Sequence, residues 1–458
     1  MNHQDLDSTI ERLRTTVLSG TTRPAAERIK SLKILKATIK DMESEIFAAL
    51  KQDLGKSSFD SFASEVAFLY AEISHVTAKL HRWVKPTRVP TPLLLQPAKS
   101  YSIYEPKGVV LILGAWNYPF QLVMSPLIAA LAAGNTVVVK PSEMAPATEA
   151  VIRKLIDKAL PKHLGICICG GPELAKELVK RKFGHIFFTG STNVGREIMR
   201  AAAENLTPVT LELGGKSPCI VDCNVDVAVT ARRIVWGKFY NAGQTCVAPD
   251  YVLVHSDVRD SLVSAITGCI RDFFGSNPEK SEHYGRIINE RHFDRLISLL
   301  SSGTILSGGT QDRQKRYMEP TLLEPKGSDA AVMAEEIFGP ILPILTFDHL
   351  DDAIELIRSK PAPLACYAFS TNKKFLHEIQ TKLSFGGGCF NATLLHLANP
   401  DLPFGGVGLS GLGRYHGKAG FTELSNQKSI LADSLRFDLK SKYPPYLGGW
   451  KLLRLLMR

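Results

Sequence analysis

Gly108-Val109-Val110-Leu111-Ile112-Leu113-Gly114-Ala115-Trp116-Asn117-Tyr118-Pro119-Phe120 reads as five apolar residues that run into a glycine-led turn, and a helical stretch over 122–133 follows. A strand apolar on both faces belongs inside a sheet covered by helices. The unit recurs: a strand over 136–139 and a helix over 149–160, a strand over 165–169 and a helix over 173–180, then a strand over 185–188. Short apolar strands alternating with helices predict a parallel sheet. Ligands on such sheets sit at the carboxyl ends of the strands, so the turns after them are where chemistry is expected.

Before this block, residues from about 8 to 83 read as helices, with Ile29, Leu32, Leu35, Ile39 and Met42 at helical spacing and Val66, Leu69, Ile73, Val76 and Leu80 repeating it. Pro86, Pro90, Pro92 and Pro97 enforce an extended crossing. Residues 100–105 alternate as a strand, placed in an arm outside the main sheet. A second α/β round starts at Ser217, with strands over 219–221, 251–255, 341–346, 365–369 and 387–390 and helices over 257–273 and 350–359. Glu212-Leu213-Gly214-Gly215 reads as the hinge between the two rounds, and after Leu424 the chain reads as a strand and a tail.

A chain of 458 residues exceeds one typical core, so two or three domains are expected. Its 45% hydrophobic and 22% charged residues are those of a folded globular protein. The formal charge of +10 comes from scattered Lys and Arg, with no zinc-finger spacing or other binding motif, so neither nucleic acid nor a metal is expected. The basic balance favours anionic ligands or an anionic membrane surface. Eight cysteines lack any C-x-x-C pair, and several lie in apolar runs such as Ile166-Cys167-Ile168-Cys169, which predicts reduced, buried thiols. With no secretory pattern and no apolar stretch of ~20 residues, a cytosolic protein is expected.

Asn241-Ala242-Gly243-Gln244-Thr245-Cys246-Val247-Ala248-Pro249-Asp250 holds one thiol on a turn before an apolar strand. Such a thiol suits a nucleophile with free amides beside it, and equally a small buried hydrophobe. Phe188-Thr189-Gly190-Ser191-Thr192-Asn193-Val194-Gly195 follows a strand and opens a helix over 196–203, and Ser191 is able to cap it. Free helix amides there would face a pyrophosphate, although the G-x-x-x-x-G spacing also fits a plain tight turn. Lys140 and Glu143 leave the preceding strand as ribose ligands or as solvated charges. Asn117, in an apolar turn, offers an NH2 to an oxyanion or braces its own turn. Glu212 lies between leucines at the hinge, where burial raises a carboxyl pKa toward that of a general base, unless Lys216 pairs with it. Glu336, before Phe338-Gly339-Pro340, is a second acidic candidate.

In this order, Asn117, Lys140, Gly190, Gly195, Glu212, Cys246, Glu336 and Phe338 resemble the pattern of the aldehyde dehydrogenase superfamily, over about residues 22–429. The short amino terminus, Gln244 to Asp250, Leu402-Pro403-Phe404-Gly405-Gly406-Val407-Gly408-Leu409-Ser410-Gly411 and Tyr415-His416-Gly417-Lys418 are similar to the class 3, fatty-aldehyde branch. The chain departs at Ala392, where class 3 relatives often carry Asp. The resemblance implies an α/β fold of two doubly wound Rossmann-like domains and a small β oligomerisation arm. It places the NAD(P)-binding domain at 1–97 and 107–212, the arm at 98–106 and 425–445, the catalytic domain at 213–424 and a basic amphipathic tail at 446–458. It further implies a homodimer and oxidation of an aliphatic or aromatic aldehyde with NAD or NADP. Cys246 would attack, Asn117 and the Cys246 amide would hold the oxyanion, and Glu212 would activate water, with Glu336 as the other base candidate. Lys140, Glu143, Gly190, Ser191, Gly195, Glu336 and Phe338 would contact the cofactor. The alternatives on the same fold are an acylating dehydrogenase, a hydrolase using the thioester chemistry without cofactor, and a silent binding protein. An intact Glu212 argues against acylation, and a silent protein would be expected to lose one of the three catalytic groups. In the tail, Lys451, Arg454 and Arg458 share one helical face opposite leucines. That pattern suits a helix packed on the protein or its dimer mate, or a weak membrane-surface anchor.

Overall fold

The computed structural model describes residues 3–438, 440–446, 449, 450 and 454. Its first sheet runs in the spatial order Gly411–Leu412, Val209–Glu212, His185–Thr189, Val109–Leu113, Thr136–Lys140, Gly165–Cys167, parallel except for Gly411–Leu412. The chain builds outward from Val109–Leu113 through the next two strands, then returns to its other side with His185–Thr189. The strand order therefore reverses between Val109–Leu113 and His185–Thr189, and a crevice opens there at the carboxyl edge. Backbone hydrogen bonds join the turns on this edge: Gly114 N–H to Lys140 O (3.0 Å) and Gly190 N–H to Glu212 O (3.0 Å).

Every residue of Val109–Leu113 is buried, and so is every residue of the helix Gln121–Ala133 that follows it. This is why the strand reads as an unbroken apolar run and the helix, interrupted only by Ser125-Pro126 after Gln121, shows no amphipathic alternation. The helix stops at Gly134, whose φ of 87° suits a residue without a Cβ.

The second sheet has the order Gly303–Ser307, Thr321–Pro325, Ile341–Phe347, Tyr251–His255, Pro218–Val221, Ala365–Phe369, Gly387–Phe390, with only Gly303–Ser307 antiparallel. A third, antiparallel sheet joins Thr87–Val89, Lys99–Pro106 and Ser425–Ala432. Because Gly411–Leu412 returns to pair with Val209–Glu212, the late segment around Tyr415 lies against the first sheet.

Several sequence expectations need correction. The helix expected over 196–203 spans Thr192–Ala203, because the Ser191 hydroxyl accepts the Val194 N–H (3.5 Å) and starts the helix earlier. The strand expected over 165–169 ends at Cys167, where its pairing with Val137–Val139 runs out before Gly170-Gly171. All eight cysteines are free, but only Cys219 and Cys366 are buried. Those two lie on interior strands, whereas the others lie on edges, loops or helix surfaces. Of the tail, Arg454 is described, with its guanidinium 4.9 Å from the Trp450 ring; Lys451 and Arg458 lie outside the described residues. Among the described residues no helix is long and apolar enough to cross a membrane.

Candidate active site

Cys246 sits between the helix Val227–Phe239 and the strand Tyr251–His255, on a loop with unusual backbone. Asn241 (φ 52°) and Ala242 (φ 53°) both adopt the left-handed region, which costs an alanine of order 1–3 kcal/mol. At Gly243 (φ 75°) an added Cβ would lie 2.3 Å from Gly339 O, so only glycine fits. Gln244 holds this conformation. Its NH2 donates to Asn241 O (3.1 Å) and Arg286 O (2.9 Å), and its carbonyl accepts the Ile288 N–H (3.0 Å). The Cys246 thiol is thus anchored two residues upstream by a buried, satisfied amide.

Asn117 is buried, and its Nδ2 donates to Gln244 O (3.1 Å). An amide nitrogen carries two hydrogens, so this bond fixes the group and leaves the second hydrogen for a ligand. Next to it, the Tyr118 hydroxyl is 2.6 Å from Thr245 Oγ1. The turn after the first strand and the cysteine loop are thereby joined on both sides.

Two carboxylates complete the constellation. Glu212 is buried, and neither of its oxygens has a hydrogen-bond partner among the described residues. Burial pushes its pKa well above the usual carboxylate range, Arg414 opposes this and Glu423 adds to it. Lys216 does not pair with Glu212; its amine instead meets Asp250 (2.5 Å) and the Val332 and Glu335 carbonyls. Glu336 packs so closely against Gly214 that a Cβ there would lie 1.9 Å from its Oε2. Burial, then Asp250, raise it to about 8 against the pull of the Gly215 amide, Lys216 and Arg295. The Cys246 thiol is pushed up by burial and then by the charges of Glu336 and Glu212, while the Cys246 and Val247 amides favour the thiolate. Cys246, Glu212 and Glu336 therefore share one low-dielectric space.

The raised Glu336 has a consequence for stability. Its folded pKa of about 8 exceeds the ordinary 4.5, so folded protein binds this proton more tightly than unfolded chain. That stabilisation is complete below pH 4.5 and is lost as pH rises through 8. Glu336→Gln is expected to flatten the fall in unfolding free energy over this window by up to about 1.4 kcal/mol per pH unit, measured by urea titration without cofactor. An unchanged slope would place the proton elsewhere.

The carboxyl edge of the first sheet carries the groups expected to hold a dinucleotide. Lys140 ends Thr136–Lys140, and its buried amine contacts Glu143 (2.7 Å) and Pro141 O (3.1 Å). Thr189, at the end of His185–Thr189, has a buried hydroxyl without a partner among the described residues. At Gly190 a Cβ would lie 2.4 Å from the Phe188 ring, and at Gly195 2.7 Å from Leu213. Glycine at these two positions thus lets the turn pack on Phe188 and the Ser191-capped helix pack on Leu213. A cation, a carboxylate, an orphaned hydroxyl and a helix N-terminus at one crevice fit a ribose and pyrophosphate. Across the crevice Phe338 (φ 51°) sets its ring 5.2 Å from Trp116, which links the Glu336 segment to the Asn117 turn.

Known proteins match this chain along almost its whole length. The model of the Aldehyde dehydrogenase family covers residues 1–430. The chain belongs to the aldehyde dehydrogenase family. It is 49% identical over 435 residues to 4,4'-diaponeurosporen-aldehyde dehydrogenase of Staphylococcus aureus (strain NCTC 8325 / PS 47), covering 94% of this chain and 95% of that one. It is 44% identical over 443 residues to the Mus musculus protein named aldehyde dehydrogenase, dimeric NADP-preferring, covering 96% and 98%. A solved structure described as the substrate bound state of Staphylococcus aureus AldH superposes with a TM-score of 0.97 at 46% identity, over 100% of both chains. The protein is an NAD(P)-dependent oxidoreductase acting on aldehydes.

Sequence reasoning missed the walls around the thiol in this aldehyde dehydrogenase. Tyr118, Tyr367 and Tyr415 each lie close enough to Cys246 for its charge to add to the burial that raises their phenols. His416 (φ 74°) stacks on Phe404 at 5.4 Å and meets Phe68 at 5.0 Å. These rings come from segments far apart in sequence, and no local pattern signals their meeting. Cys223, His255 and Asp257 bring metal-type ligand atoms within 4.8 Å of one another. They stand at the carboxyl ends of Pro218–Val221 and Tyr251–His255, while Cys246 precedes the amino end of the latter strand.

Proposed function

We propose that this aldehyde dehydrogenase converts medium- or long-chain aliphatic or aromatic aldehydes to carboxylic acids through a thioester on Cys246. The observation that carries this reading is Asn117 Nδ2 anchored to the cysteine loop beside two buried, proton-hungry carboxylates. The Cys246 sulfur adds to the aldehyde carbon and its proton passes to a carboxylate. The resulting oxyanion takes hydrogen bonds from Asn117 Nδ2 and the Cys246 N–H, each worth a few kcal/mol in such sites. A dinucleotide, when bound, would accept the hydride that leaves the substrate carbon as the oxyanion collapses to the thioester, and Lys140, Glu143, Gly190, Ser191, Gly195, Glu336 and Phe338 would hold it. Glu212 then takes a proton from water as that water attacks the thioester, and the acid leaves as Cys246 is regenerated. Glu336 is the second candidate for this base.

Aromatic rings around Cys246 favour an apolar substrate. Trp236, 38% exposed, and Tyr240, 5.8 Å from it, extend that apolar surface outward from Tyr118. The 49% identical relative is named for 4,4'-diaponeurosporen-aldehyde, an aldehyde other than the short acetaldehyde, which agrees with this reading. Reduced cofactor is measured with acetaldehyde through hexadecanal and with benzaldehyde. A kcat/KM that rises with chain length supports the proposal, and a preference for acetaldehyde would overturn it. Asn117→Ala is expected to lower kcat about 10²–10³-fold with little change in cofactor KM.

The cofactor reading is NAD or NADP, since Lys140 partly neutralises Glu143. Glu143→Gln removes a carboxylate that repels a 2′-phosphate, so the NADP/NAD ratio of kcat/KM should rise about tenfold, equivalent to about 1.4 kcal/mol. No change in the ratio would remove Glu143 from the ribose site. A homodimer through the three-stranded sheet, whose Ser425–Ala432 strand has one edge unpaired among the described residues, agrees with the mouse relative's name. Free cysteines suit a cytosolic enzyme.

A further inference from the structure

The helix Glu43–Leu54 ends at Gly55 (φ 68°), and the chain then carries Lys56 into the interior. Its side chain is 2% exposed and pairs with Glu65, which is fully buried. A buried ion pair is weak evidence for stability, since apolar residues of the same volume often serve as well. What the pair touches is therefore informative. Lys56 Nζ donates to Asn117 O (3.2 Å) and lies 4.0 Å from the Tyr118 ring centroid. Glu65 Oε2 accepts the Phe120 N–H (2.9 Å) and the Gln121 N–H (3.0 Å), where the helix Gln121–Ala133 begins. Those amides have no partner within their own helix, and a carboxylate there is doubly favourable.

Two further observations point the same way. Glu65 lies in a π-helical turn, Phe62–Val66, between Ser58–Ser61 and Ala67–Trp83, and such turns recur at functional sites. Asn117 O also accepts Asn241 Nδ2 (2.8 Å), so the cysteine loop and Lys56 hold the same carbonyl.

We propose that Lys56 and Glu65 are positioning residues for the oxyanion donor, clamping the Asn117–Gln121 turn at both ends so that Asn117 Nδ2 faces an aldehyde oxygen on Cys246. This rests on the proposed role of Asn117. The clamp holds the Asn117 turn and touches none of the proposed cofactor contacts, while Gln244 holds the cysteine loop through Asn241 O, Arg286 O and the Ile288 N–H. Loss of the clamp therefore slows chemistry without weakening cofactor binding or changing the thiol.

The test compares Lys56→Met, Glu65→Gln and the double variant, which leaves no unpaired buried charge and so keeps the fold accessible. Each is made in the full chain with Asn117 intact and with Asn117→Ala. The readouts are kcat and KM, the dissociation constant of reduced cofactor by fluorescence, and the alkylation rate of Cys246 by iodoacetamide. With Asn117 intact, kcat is expected to fall about 10–100-fold, a part of what loss of the whole donor costs. Cofactor affinity and alkylation stay at their original values, and in the Asn117→Ala background the clamp variants lower kcat no further. An unchanged kcat in the double variant overturns the clamp, as does a loss that multiplies with that of Asn117→Ala or parallel losses of cofactor affinity. Full activity in Asn117→Ala alone would instead sink the oxyanion role, so the two failures are separate.

Discussion

Cys246→Ala is expected to abolish aldehyde oxidation, with kcat falling about 10⁴–10⁶-fold, as when a nucleophile is removed from a unit of coupled catalytic groups. The size follows from the position of Cys246 in the chain of events. In the proposed reaction Asn117 and the loop amides would stabilise a charge that exists only once the sulfur has bonded to the carbonyl carbon, so without sulfur they would have nothing to stabilise. The variant should fold. Gln244 anchors the loop through its own side chain, and Asn241, Ala242 and Gly243 set the backbone before residue 246. Cofactor affinity should persist, because Lys140, Glu143 and the Gly190 turn belong to the other sheet. Stopped-flow measurement of reduced cofactor, with cofactor binding by fluorescence titration, checks both halves. Residual turnover above a thousandth of wild type would place the nucleophile elsewhere.

The parts legible in the sequence share a physical reason. Val109–Leu113, Thr136–Lys140 and His185–Thr189 are interior parallel strands buried along their whole length, so composition alone marks them. Gly303–Ser307 went unread because it is an edge strand with exposed Thr304 and Ile305, a register shift and an antiparallel partner. Val209–Glu212 is only four residues long and includes a polar Thr and Glu. Asn117, Glu143, Gly190 and Ser191 lie in turns after strands, and Lys140 and Glu212 end strands, which is where sheet topology directs attention, whereas Cys246, Glu336 and Phe338 precede strands and Gly195 lies in a helix. Partnership was not legible. Lys216 looked like the partner of Glu212 because they are neighbours in sequence, yet it reaches Asp250 across the second sheet's end. Lys56 and Glu65, nine positions apart in a helical region, carried no motif, and their common target lies about fifty residues further on. Left-handed backbone at Ala242 is equally silent in sequence, since alanine gives no sign of it.

Glu212→Gln is expected to separate the two halves of the reaction. Gln keeps the shape of the side chain but cannot take a proton from water. Acylation of Cys246 should continue, so one equivalent of reduced cofactor appears as a burst and the thioester accumulates. Steady-state turnover should then drop about 10²–10⁴-fold, the contribution of a general base. The pH dependence follows from the same group. Burial holds Glu212 protonated well above the usual carboxylate range, so the active base form grows as pH rises and wild-type kcat should climb through the alkaline side. In Glu212→Gln that climb should shrink to whatever Glu336 supplies, with its pKa near 8. Quenching the burst in acid and weighing the protein by mass spectrometry detects the acyl adduct. If Glu212→Gln shows neither burst nor adduct, Glu212 acts before acylation, as the acceptor of the Cys246 proton. If turnover stays near wild type with the alkaline climb intact, Glu336 is the base, and Glu336→Gln should then produce the burst instead.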